Sequence, residues 1–113
     1  MTTDAQSLIA QYQAEVEQGK ATATTYRNLG WSYHALGEEE KALEAFRQAA
    51  ALDAYDPMAF YGLGVIYQIV GQARSAREAF HQAARLVDRL PDERQRTIIQ
   101  QMIKSKLATM PEG

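Results

Sequence analysis

The chain has no cysteine, which excludes disulfide frameworks, thiolate metal sites and cysteine nucleophiles. It has only two histidines, His34 and His81, and neither has a second histidine or an acid at metal-ligand spacing. No metal site and no cofactor are expected. No apolar run approaches the roughly 20 residues that a membrane span needs. Residues 1–4 are polar, with no basic start and no apolar stretch, so no secretory leader is expected. Glycine-rich phosphate loops are missing too, because Gly62 and Gly64 follow no strand. The acid run Glu38-Glu39-Glu40 fans over different faces of a helix and cannot converge on one ion or substrate. With no constellation of catalytic groups, neither an enzyme nor a small-molecule substrate is expected. Cytoplasmic residence follows as the default expectation.

What is present is modest in bulk and specific in pattern. The 113 residues fit one domain with a real but limited core. Net charge is −2, but it is unevenly placed: residues 1–56 sum to −5 and residues 57–113 to +3. Such a division reads as two solvated faces of differing sign, with contact between copies or steering of a charged partner as the sharper reading. A net acidic chain argues against nucleic acid. The bases Arg85, Arg89, Arg94, Arg96, Lys104 and Lys106 are spread around their helices with no aromatic stacking platform beside them.

The chain matches itself at a fixed offset, the distance from Leu29 to Leu63. Leu29-Gly30-x2-Tyr33 recurs as Leu63-Gly64-x2-Tyr67, Ala42-x3-Phe46 as Ala76-x3-Phe80, and Gly37 as Gly71. Between Leu29 and Leu52, half of the positions are identical in the second copy. A fixed period of this size signals a stacked repeat array. Glycine and proline bracket segments of helical length, which predicts helices at 5–18, 23–36, 39–52, 57–70, 73–88 and 92–109. Gly37 and Gly71 end helices in the left-handed conformation. Asp56-Pro57 supplies a cap and a first helical residue. Pro91 is expected to open the last helix in the same way, although Leu90 cannot cap it. Gly30 and Gly64 lie inside helices, where glycine costs about 1 kcal/mol relative to alanine. Close approach of Phe46 and Phe80 is the compensation expected, with Tyr33 and Tyr67 filling space alongside.

These residues resemble the tetratricopeptide repeat (TPR) family. Tyr26 and Phe60 stand in the place of its leading tryptophan, ahead of Leu-Gly-x2-Tyr and Ala-x3-Phe. The proline that usually follows the second helix is replaced by Ala54 and Asp88, and Pro57 and Pro91 arrive slightly later instead. The resemblance covers residues 23–90. It implies an all-α fold: an antiparallel helix-hairpin repeat stack, a TPR-like solenoid of about six helices. Residues 23–56 and 57–90 would be its repeats, and 5–18 and 92–109 would be end caps within a single domain spanning 1–113.

The resemblance further implies that the first helix of each pair lines a concave surface. The candidates there are Thr24, Arg27, Asn28, Trp31, His34 and Ala35, then Met58, Tyr61, Gly62, Val65, Gln68 and Ile69. Arg27, Trp31 and His34 share one helical face by spacing, as do Tyr61, Val65 and Gln68. One mode of this family grips a carboxylate tail with basic and asparagine side chains. Arg27 fits it, but Trp31 and Gly62 occupy asparagine places and a third repeat is missing, so that mode is rejected. The partner-binding set is therefore Arg27, Trp31, His34, Met58, Tyr61, Val65, Gln68 and Ile69. Its apolar and aromatic character suits an apolar or amphipathic segment of a protein or peptide partner. The expected function is a non-enzymatic interaction adaptor. The alternative is a self-associating module, a homo-oligomer joined by the groove or an end helix.

Overall fold

The computed structural model describes residues 4–110. Residues 1–3, where the chain's polar start begins, and 111–113 lie outside them. Six helices follow in order: α1 (Asp4–Glu17), α2 (Ala23–Ala35), α3 (Glu39–Leu52), α4 (Pro57–Ile69), α5 (Ala73–Val87) and α6 (Glu93–Ala108). Among the described residues there is no strand, and the fold is all-α as expected. The contacts divide the chain into two compact units, with the division between Ala54 and Tyr55. In the first, α1 packs on α2 and α2 on α3; in the second, α4 packs on α5 and α5 on α6.

The helix ends are chemical. Gly19, Gly37 and Gly71 take φ of 71°, 75° and 85°, and the amide after each reaches back across the last turn to a carbonyl: Lys20 to Glu15, Glu38 to Tyr33, Gln72 to Tyr67. This closure needs a left-handed residue, which glycine supplies without a Cβ penalty. Thr22 and Thr25 form a reciprocal cap on α2, with Thr22 N–H donating to Thr25 Oγ1 at 3.0 Å and Thr25 N–H to Thr22 Oγ1 at 3.3 Å. Asp56 accepts from the Met58 amide at 2.9 Å, and Pro57 opens α4.

Pro91 differs from expectation. It precedes the cap instead of opening the helix, because Asp92 takes that role and accepts from the amides of Arg94 and Gln95. Leu90 has no side chain that could cap, so the first competent acceptor sets the start slightly later. Asp92→Ala is expected to lower stability by about 1 kcal/mol and Asp92→Asn by much less, read by thermal unfolding.

Each hairpin is locked by one phenylalanine. Phe46 and Phe80 are fully buried, as are Ala42, Ala49, Ala76 and Ala83. A Cβ placed on Gly30 would lie 2.7 Å from three ring atoms of Phe46, and one on Gly64 would lie 2.6 Å from Phe80 Cε1. The missing Cβ is the space the ring occupies, which is what offsets glycine's cost within a helix.

Candidate functional site

The candidates on α2 all lie in the first unit. Arg27, Trp31 and His34 are half-buried, and Thr24 and Ala35 are exposed. Trp31 follows the glycine notch directly. Its ring meets Phe46 edge-on, with centroids 4.9 Å apart and planes at 76°, and lies 6.2 Å from the His34 ring. An edge contact of this kind is worth about 0.5–1.5 kcal/mol beyond the area it buries. The same phenylalanine that locks the hairpin thus orients the tryptophan. His34 Nδ1–H donates to the Glu39 carboxylate, 3.0 Å from both oxygens. Glu39 is therefore more than a solvated helix start, while Glu38 lies 3.8 Å from Lys41 and Glu40 is exposed.

The candidates on α4 all lie in the second unit, and their exposure is mixed. Met58 and Gln68 are half-buried and Ile69 is 50% exposed, but Tyr61 and Val65 are buried. The Tyr61 ring lies 5.7 Å from Phe80, and burial pushes its phenol above the ordinary tyrosine range. Gln68 Nε2 donates to Thr109 Oγ1 at 3.4 Å, which ties the end of α6 to the last turn of α4. An exposed apolar corner remains at Ile69 and Val70. The first repeat holds Ala35 and Leu36 there, a small residue and a half-buried one.

A further feature belongs to neither set. Between α1 and α3 runs an open groove of about 600 Å³, floored by Tyr26, Leu29 and Tyr33 of α2, with Val16 and Glu17 on one wall and Glu44 on the other. The Tyr33 hydroxyl accepts from Gln13 Nε2 at 2.8 Å, and Lys41 Nζ lies 5.8 Å from the Tyr33 ring. In the second unit their repeat counterparts Phe60, Leu63 and Tyr67 line a smaller cavity of about 240 Å³. The signal was present in the sequence: Tyr26, Leu29 and Tyr33 share a face, but the residues that pack the repeat also floor this groove.

Two helix hairpins of matching register, each locked by phenylalanine in a glycine notch and flanked by a single helix, define a helical repeat protein. Residues 30–71 match the family model described as TPR repeat. Among solved structures it is similar to PcrH from Pseudomonas aeruginosa, with TM-score 0.71 and 17% identity over 96% of this chain and 93% of that one. It is similar also to PcrH in complex with the chaperone binding region of PopB, with TM-score 0.70 and 18% identity over 94% and 97%. A T3SS complex from Aeromonas hydrophila gives TM-score 0.62 and 19% identity over 96% and 86%. No curated protein sequence matches the chain. Among the described residues no helix is long and apolar enough to cross a membrane.

Proposed function

We propose that the chain is a non-enzymatic, cytoplasmic adaptor, without cofactor, that holds an apolar or amphipathic segment of a partner protein. The α2 face carries Arg27, Trp31 and His34; the α4 face carries Met58, Gln68 and Ile69, with Tyr61 and Val65 on the same helix but buried. The repeats are read as 23–56 and 57–90, with single capping helices on either side. Trp31 is the observation that carries this reading. It breaks the repeat, since Val65 takes its place in the second copy, and it is fixed by Phe46 yet only half-buried. A pre-oriented, partly open aromatic is the kind of residue on which binding energy concentrates, because little rotamer freedom is lost when a partner covers it. PcrH has been crystallised with the chaperone binding region of PopB, which supports the idea that a fold of this kind can serve such a role.

Trp31 is the chain's single tryptophan, so its fluorescence reports on this face directly. Titration with a panel of amphipathic and extended apolar peptides is expected to give a saturable blue shift for the peptides that bind. Trp31→Ala, followed by calorimetry, is expected to weaken their affinity at least tenfold, about 1.4 kcal/mol. Equal affinity in a folded Trp31→Ala protein would remove the α2 face from the site.

A further inference from the structure

We propose that the groove between α1 and α3 is the seat for α6 of a second copy of this chain. It lies apart from the α2 and α4 faces assigned above and does not depend on them. Within the first unit α1 and α3 both pack on α2, and in the strip between them Tyr26 and Tyr33 stay half-buried over a buried Leu29. A floor of Tyr26, Leu29 and Tyr33 between two helical walls has the shape that accepts the ridge of another helix.

The second unit holds a helix with such a ridge. α6 is seated on α5 and buries Ile99 and Ile103, but Ile98 remains 55% exposed. Arg94, Ile98 and Met102 stand at i, i+4 and i+8, so they form one stripe along α6. Lengths agree as well: 16 residues of α6 span about 24 Å, and the 14 residues of α1 and of α3 span about 21 Å each.

Charge selects the pairing. α1 carries Asp4, Glu15 and Glu17 and no base, whereas α6 carries Arg94, Arg96, Lys104 and Lys106 against Glu93 alone. Glu17 and Glu44 stand on the two walls of the groove; Lys41 on the same wall as Glu44 is held over the Tyr33 ring and Glu44 lies 3.9 Å from Arg47, which leaves Glu17 as the acid that Arg94 of an incoming stripe would meet first. Opposite charge on the two end helices favours head-to-tail contact and disfavours head-to-head or tail-to-tail. Because the two surfaces differ, the contact is heterologous and can continue from copy to copy.

The test uses the full chain and two variants altered only at exposed positions: Glu17→Lys with Glu44→Lys, and Arg94→Ser with Ile98→Asn, the second bringing no acid that could pair with the lysines of the first. Circular dichroism is the check that both fold. In light scattering at low salt, the wild-type mass is expected to climb with concentration beyond that of a dimer and to fall back as salt screens the pairing. Each variant alone is expected to stay monomeric. Mixed in equal amounts they are expected to form a one-to-one dimer and nothing larger, because the first keeps its α6 and the second keeps its groove. A wild type that stays monomeric throughout, a closed dimer that neither variant disturbs, or a mixture that stays monomeric would each overturn the proposal. Trp31→Ala is expected to assemble normally, which separates this surface from the adaptor face.

Discussion

Phe80→Ala is expected to lower the unfolding free energy by about 3–5 kcal/mol, and Phe46→Ala by a similar amount, measured by urea denaturation followed by circular dichroism. Both rings are fully buried, so truncation loses the whole transfer term. It also leaves a cavity that cannot collapse easily. The wall opposite each ring is the backbone of a glycine in a regular helix, which can approach no closer without breaking the helix. Small residues surround the ring on its own side, with Ala76 and Ala83 beside Phe80 and Ala42 and Ala49 beside Phe46, all fully buried. Alanine has no rotamers with which to fill a gap. In the second hairpin Tyr61 also loses its packing partner, and in the first Trp31 loses the ring that orients it. For a domain whose total stability is of order 5–15 kcal/mol, losses of this size remove a large share of it.

Gly64→Ala and Gly30→Ala are expected to destabilise although alanine is the better helix former. Propensity alone favours each change by about 1 kcal/mol. Against that, the new Cβ would overlap Phe80 Cε1 at 2.6 Å and Cδ1 at 2.7 Å, or three atoms of the Phe46 ring at 2.7 Å each. The obstacle is a rigid, enclosed ring and not the end of a flexible chain, so relief requires the hairpin to open. Overpacking of this kind costs about 1–3 kcal/mol and sometimes more, so the steric term is expected to win. The decisive measurement is a double-mutant cycle. In a Phe80→Ala background the Cβ at position 64 meets no ring, and Gly64→Ala is expected to change sign and stabilise. An equal cost of Gly64→Ala in both backgrounds would show that something other than the ring requires the glycine.

Helix positions were legible almost to the residue because their signals are local. Glycine in a left-handed turn and an acid or threonine before a helix act within a turn of the chain, and Pro57 does the same. Pro91 marks its helix less sharply, because proline at a helix start is informative only when the preceding residue can cap, and the acceptor here is Asp92. The cap formed by Thr22 and Thr25 carries a weak sequence signal, because its second member is threonine where glutamate or glutamine is the usual one. The match between Gly30 and Phe46 was readable because a helix-interior glycine demands a reason and the repeat names the same partner twice.

The candidate faces were less legible than the stack. Periodicity places Tyr61 and Val65 on a face with Gln68, but α4 is apolar nearly all round and buries residues on every side, so sharing a face does not decide exposure. Helical spacing places His34 on a face with Arg27 and Trp31; its bond to Glu39 crosses the turn at Gly37, where that spacing no longer applies. The α1–α3 groove depends on how far apart two helices stand, a quantity that sequence period does not carry.

The two glycine–phenylalanine locks each join positions within a single hairpin, Gly30 with Phe46 and Gly64 with Phe80. Closure over so short a loop costs little chain entropy, and contacts of low sequence separation form quickly. Each hairpin can therefore reach its native packing as its own second helix is completed, without waiting for any residue of the other. During synthesis the first lock can close while the second still lies within the ribosome's exit path. The earlier hairpin thus carries, within its own residues, the contact from which folding can begin and spread to its neighbours.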